Sequence, residues 1–151
     1  MRWLLLSLTL LASGCGFHLK GSYEMPQAYK QVNLTSFDHY ARITKLVSQS
    51  LTVSGVALGQ GPEVHIVSDR LDRQTLSLFS TGQVAEYELV YTLNWQLILP
   101  EQEPEQHVIE VRRDYQDDPA RTLAKDRERD LLLEEMRKEA ADRLVRQLAQ
   151  G

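Results

Sequence analysis

From position 85 to position 99 every odd residue is apolar: Ala85, Tyr87, Leu89, Tyr91, Leu93, Trp95, Leu97 and Leu99 follow one another without a break. The positions between them are mostly polar, with Glu86, Glu88, Thr92, Asn94 and Gln96. Successive side chains of a strand point to opposite faces, so this stretch is a long strand with one buried face and one wet face. Such a strand needs partners along its edges and a layer over its apolar side. Its Tyr and Trp side chains read as core packed against helices rather than as a ligand platform, because burial is the usual fate of aromatics on an apolar stripe.

The flanking segments supply those partners. Residues 30–35 alternate and predict a short first strand. Asp38 can cap a helix in which Tyr40, Ile43, Leu46, Val47, Ser50 and Leu51 form one face, and Gly55 ends it as a left-handed C′ residue. Gly59-Gln60-Gly61-Pro62 reads as a turn, since no six-residue phosphate fingerprint opens a helix there. Residues 63–79 are a second extended region, with a solvated or bulged middle around Arg70, Asp72 and Arg73. Thr81-Gly82-Gln83 turns the chain into the long strand. Residues 100–105, with two prolines and three glutamates, form a surface loop. A fourth strand places Ile109, Val111 and Tyr115 on one face and Glu110 and Arg112 on the other. Asp118 as N-cap and Pro119 at the first helical position then start a long helix, whose stripe is Leu123, Leu132, Met136, Ala140, Leu144 and Leu148. Its opposite face is heavily charged, as a solvated face is. The order β-α-β-β-β-α gives an α+β, two-layer sandwich. Two α-helices pack on one face of a four-stranded, mostly antiparallel sheet.

The start of the chain has another purpose. Arg2 precedes an apolar run, residues 3–12, that is too short to span a bilayer and has the layout of a secretory signal. It ends in Ala12-Ser13-Gly14-Cys15, and Cys15 is the single cysteine. A lone thiol makes no internal disulfide, and Gly14, Gly16 and Phe17 supply no charge to activate it. The expected chemistry is bacterial lipoprotein processing, with S-diacylglycerol and N-acyl groups on Cys15. The pattern departs at Ala12, where leucine is usual; Leu11 stands one place early. Residues 1–14 are then a signal peptide that is removed, 15–29 a lipidated tether, and 30–151 a single α+β domain. Gly16, where an aspartate would retain such a protein at the inner membrane, points to the outer membrane, with the domain facing the periplasm. No second apolar stretch is long enough for a transmembrane helix, so the acyl chains are the expected membrane attachment.

The formal net charge of −4, one unit more negative without Arg2, argues against a nucleic-acid binder held by overall electrostatics. His18, His39, His65 and His107 are scattered without an i, i+4 pair or a second cysteine, so no metal site is expected. No Gly-x-Ser-x-Gly or Ser-x-x-Lys element is present, and Asp117 and Asp118 are explained by capping. No catalytic site and no cofactor beyond the covalent lipid are expected.

Several segments, in this order, resemble the LPS-assembly lipoprotein family (LptE, also called RlpB). They are Cys15-Gly16-Phe17-His18-Leu19-Lys20, Thr81-Gly82-Gln83-Val84-Ala85-Glu86-Tyr87, Ala124-Lys125-Asp126, Glu135-Met136-Arg137-Lys138-Glu139-Ala140-Ala141 and Leu144-Val145-Arg146-Gln147-Leu148. The resemblance implies an outer-membrane lipoprotein that plugs and helps assemble a β-barrel partner, the LPS-assembly protein LptD. It also implies binding of lipopolysaccharide for delivery to the cell surface. Family members bind that lipid through basic residues at one end of the domain. Lys125 matches one such position, whereas Ser80 stands at a position that is basic in the family. Arg70, Arg73, Arg112, Arg113 and Arg121 are the residues that can compensate, since guanidinium pairs well with phosphate. The alternative is a lipid-anchored binding module of another envelope secretion or polysaccharide-export complex, with an anchored hydrolase third.

Overall fold

The computed structural model describes residues 25–150 apart from Pro119. Cys15, the signal segment and most of the tether lie outside the described residues. Four strands, β1 (Gln31–Ser36), β2 (Ala57–Leu78), β3 (Val84–Ile98) and β4 (Glu105–Gln116), form one sheet in the order β1-β2-β3-β4. Helix α1 (Arg42–Val53) connects β1 to β2, and helix α2 (Thr122–Gln150) follows β4. β1 and β2 are parallel, and the other two pairs are antiparallel. This is the expected two-layer α+β sandwich.

The odd residues of β3 are the centre of the core, as their alternation requires. Leu89, Tyr91, Leu93, Trp95 and Leu97 cluster with Ile43, Leu46, Val47 and Leu51 of α1 and with Met136, Ala140, Leu144 and Leu148 of α2. Val64 and Ile66 of β2 and Ile109 and Val111 of β4 complete it. Arg42 pairs with Glu134, and Ser50 donates to Asp142 at 2.8 Å. Equal steps along both chains mean that the helices run side by side in the same direction. The even face of β3 has no helix over it, yet it is half-buried rather than wet, and Val90 is only 5% exposed. Neighbouring strands shield it: Arg112 reaches both Glu88 and Glu110 at 3.0 Å across that face.

Both helices start later than their aspartates suggest. Asp38 Oδ1 accepts the N–H of Tyr40 and Asp118 Oδ1 accepts that of Ala120, at 2.8 and 3.0 Å. Each aspartate thus folds an Asx turn on its own backbone, one turn ahead of the helix. Ala41 is the N-cap of α1, and the carbonyl of Arg121 accepts from Lys125 at the entrance to α2. Tyr40 and Leu123, assigned above to apolar faces, are each 79% exposed. Tyr40 precedes the first helical residue, and Leu123 lies on turns of α2 that run beyond the end of α1.

Residues 59–62 are not a turn but a bulge inside β2. Val32 pairs with Leu58 and Asn33 with Glu63, so the residues between bow away from β1. Gly61 is required there, because a Cβ would collide with the backbone carbonyl of Gln31. The middle of β2 is regular rather than bulged: Arg70 to Arg73 pair in register with β3, and the shifts fall on either side, at Val67, at Leu76 and between Ser77 and Leu78. Met25 and Tyr29, placed above in the tether, pack against the core around a 3₁₀ turn (Gln27–Tyr29).

Candidate functional site

β2 and β3 extend past the helix pair as a hairpin. It closes through hydrogen bonds from Phe79 N–H to Gln83 C=O (2.7 Å) and from Gly82 N–H to Phe79 C=O (2.9 Å). Gly82 takes φ +84°, which glycine adopts without steric cost. The first turns of α2 lie against this end of the sheet. Four side chains form a row on the helix-bearing face. Tyr87 and Tyr115 are directly opposite in the β3–β4 register. The Arg73 guanidinium sits 4.3 Å over the Tyr87 ring, and Lys125 Nζ sits 5.4 Å from the centre of the Tyr115 ring. Aromatic faces attract cations, so the two rings hold positive charge at both ends of the row.

Lys125 is also fixed from behind, since Tyr115 Oη donates to its backbone carbonyl at 2.8 Å. Its ammonium bonds Glu128 at 2.8 Å, which raises its pKa, chiefly through that hydrogen bond. Burial raises the pKa of Tyr115, with the charge of Asp117 adding to it, so its hydroxyl stays a donor. A cleft of about 360 Å³ opens here, lined by Leu76, Glu86, Asp114, Tyr115, Gln116, Lys125 and Glu128. Leu76, Leu78 and Phe79 stand exposed along the hairpin.

The basic residues singled out in the sequence do not form one patch. Arg73 and Lys125 share the row just described. Arg121, at the entrance to α2, is largely exposed and 3.7 Å from Asp118. Arg70 and Arg112 project from the opposite face of the sheet. Arg70 bonds Asp72 at 2.7 Å, and Arg112 is held between Glu110 and Glu88, whose hydrogen bonds and charge raise its pKa. Arg113 is on the helix-bearing face but is tied to Glu139 of α2. Burial pushes the Glu139 carboxyl up, and Arg113 and Arg143 outweigh it to hold the carboxyl below its usual value. Ser80 is exposed in the hairpin. Sequence reasoning did not single out the Tyr87–Tyr115 pair or the apolar tip. The inward parity of both tyrosines was visible, but their register was not.

This arrangement suits an amphiphilic anion: an exposed Arg73 and a half-buried Lys125 on aromatic supports beside exposed apolar side chains. Among the described residues, no group of three or more His, Cys, Asp or Glu is placed to hold a metal ion.

Comparison with known proteins places the described domain in one family. Residues 29–148 match the family model LptE, described as lipopolysaccharide-assembly. The chain is 36% identical over 145 residues to the LPS-assembly lipoprotein LptE of Pectobacterium atrosepticum, covering 92% of this chain and 79% of that one. It is 36% identical over 151 residues to the protein of the same name from Photorhabdus laumondii, covering 96% and 83%. Among solved structures it is similar to the rare lipoprotein B of Shewanella oneidensis. That match has 44% identity and a TM-score of 0.74, covering 80% of this chain and 94% of that one.

Proposed function

The chain belongs to the LptE family of lipopolysaccharide-assembly lipoproteins, and we propose on that basis that it works at the outer membrane as a non-catalytic subunit. In this reading it plugs and helps assemble the β-barrel LptD, and binds lipopolysaccharide for insertion at the cell surface. The Arg73–Tyr87–Tyr115–Lys125 row beside Leu76, Leu78 and Phe79 carries the lipid-binding half of the proposal. Lys125, Arg73 and Arg121 meet phosphate, and the hairpin side chains meet acyl chains. Phosphate displaces Glu128 from Lys125 at small cost, since a solvent-exposed ion pair contributes little. Arg70, Arg112 and Arg113 stay on their carboxylates, Arg112 joining β4 to β3 and Arg113 joining β4 to α2.

The plug role fits a domain with a polar exterior, because the lumen of a large barrel is polar. Acylated Cys15 holds the protein at the membrane, and the chain enters the domain at the start of β1, the end of the sheet away from the hairpin. The lipid site therefore faces away from the tether. Binding of purified lipopolysaccharide to the parent, Lys125→Glu and Arg73→Glu tests the site, with the expectation that both variants bind more weakly at unchanged melting temperature. Equal binding by folded variants rejects it. Failure to co-purify a β-barrel from mildly solubilised membranes expressing both proteins rejects the plug.

A further inference from the structure

His107 has the odd parity of β4, so it faces the helix-bearing side, directly opposite Trp95 in the β3–β4 register. The two rings stack with centroids 4.2 Å apart and planes 15° from parallel. Trp95 is buried, and its Nε1 donates to Gln147 Oε1 near the end of α2 at 3.2 Å. The imidazole is 32% exposed, so water reaches the ring. Its Nε2 is nevertheless covered and has no hydrogen-bond partner among the described residues. Glu105, two residues back on the same strand, holds Oε2 at 3.8 Å from that nitrogen, too far for a hydrogen bond. The Glu105 side chain is largely exposed, so turning it costs little packing.

A neutral imidazole leaves Nε2 unpaired in either tautomer, as a bare N–H or a bare lone pair. Proton uptake makes Nε2 a donor beside a carboxylate and sets a cation on the face of an indole. Both changes strengthen the contact. No other charge around the ring takes the place of Glu105. On this face β3 offers Trp95 between Leu93 and Leu97. On α2, Arg143 is held by Glu139 and by the carbonyl of Glu110, and half-buried Arg146 precedes Gln147. Glu101 and Glu103, in the loop before β4, are exposed.

We propose that His107 is a proton-operated latch for the start of β4: on taking up a proton it closes on Glu105 and grips Trp95, which is itself tied to α2. β4 is an edge strand paired with β3 alone, so its first residues have no second strand to hold them. Histidine changes charge between about pH 5 and 8, and the latch works in that range. The contact is present while the imidazole is charged and is lost as pH rises through the range. It lies at the end of the sheet away from the hairpin, so it acts apart from the lipid site.

Trp3 and Trp95 are the two tryptophans, and removal of residues 1–14 leaves Trp95 as the single emitter. A charged imidazole stacked on an indole quenches its fluorescence. Emission of the acylated chain in detergent micelles should therefore fall as pH is lowered from about 8 to 5. His107→Gln should abolish the change. Glu105→Gln should keep it but move its midpoint down by about 0.2–0.7 pH unit, the scale of one exposed charge pair. The urea midpoint of the parent should exceed that of His107→Gln by more at the acid end of the range than at the alkaline end. Emission that ignores pH, or changes equally in His107→Gln, overturns the stack as a proton sensor. An unmoved midpoint in Glu105→Gln, or equal urea differences at both ends, overturns the latch. Should His107→Gln fail to fold, the ring-proton NMR signals of His107 in the parent and in Glu105→Gln give the same two midpoints, and their coincidence overturns it equally.

Discussion

Tyr115 and Lys125 hold each other: the tyrosine hydroxyl donates to the lysine's backbone carbonyl at 2.8 Å, and the lysine ammonium sits 5.4 Å from the centre of the tyrosine ring. One side chain of β4 thus sets both the first turn of α2 and the position of its cation.

Removing the hydroxyl should loosen the site without emptying it. Tyr115→Phe keeps the ring and loses one hydrogen bond, at a cost of about 1 kcal/mol to stability. Lipopolysaccharide binding should fall less than in Lys125→Glu, and Lys125→Arg should restore it. Isothermal titration beside thermal melts separates these effects. Tyr115→Phe binding as poorly as Lys125→Glu would mean that the hydroxyl itself touches lipid.

The bulge in β2 makes a contrast between two neighbouring glycines. At Gly61 a new Cβ meets the backbone of Gln31, whereas at Gly59 it meets the end of the Gln31 side chain, which can swing away. Gly61→Ala should destabilise by about 1–3 kcal/mol, the cost of forcing a methyl group into packed structure. Gly59→Ala should cost clearly less. Urea midpoints compare the two.

The packed and free parts of α2 should respond differently to truncation. Leu144 is fully buried, so Leu144→Ala should cost about 2–5 kcal/mol. Leu123→Ala, on the exposed first turn, should stay within about 0.5 kcal/mol of the parent. Equal losses in chemical denaturation would show that Leu123 is covered.

Acid should loosen the contact between the helices. The hydrogen bond from Arg42 holds the Glu134 carboxyl below its ordinary value of 4.5, against a smaller opposing effect of burial. A carboxylate depressed in the folded state contributes stability above its unfolded pKa and loses it as pH falls through the folded value. Below about pH 4.5 the parent should therefore lose this contribution, and Glu134→Gln should show a shallower decline. Denaturation midpoints across that range measure both slopes.

Cys15→Ala should abolish acylation. Metabolic labelling with a radioactive fatty acid reads this directly, and label retained by the variant would place the lipid elsewhere.

How far the fold was legible depends on the range of the interaction. The apolar positions of β3 are neighbours in sequence as well as in the core, so their pattern gave the strand and its buried face. Ile43, Leu46, Val47 and Leu51 gave α1 in the same way. The helix entrances were misplaced because Asp38 and Asp118 bond their own backbones, and such a bond leaves no mark that separates it from a cap. The bulge at residues 59–62 was read as a turn because Gly and Pro punctuate both. Strand parity separates Arg70 and Arg112 from Arg73 and Arg113, but the carboxylates that tie Arg112 and Arg113 to other elements are distant in sequence. Glu88 is 24 positions from Arg112, and Glu139 is 26 from Arg113.

The sequence by itself determined the elements, their order, the face each one buries and the class of the fold, since periodicity is set by backbone geometry within a few residues. Tertiary structure decided what stands opposite what. Register placed Tyr87 beside Tyr115, the run of α2 beyond α1 brought Lys125 to the Tyr115 ring, and α2 laid Arg143 along β4, where it donates to the carbonyl of Glu110. Those contacts join residues far apart in the chain, and they form only once burial of the common core has fixed the layers against each other.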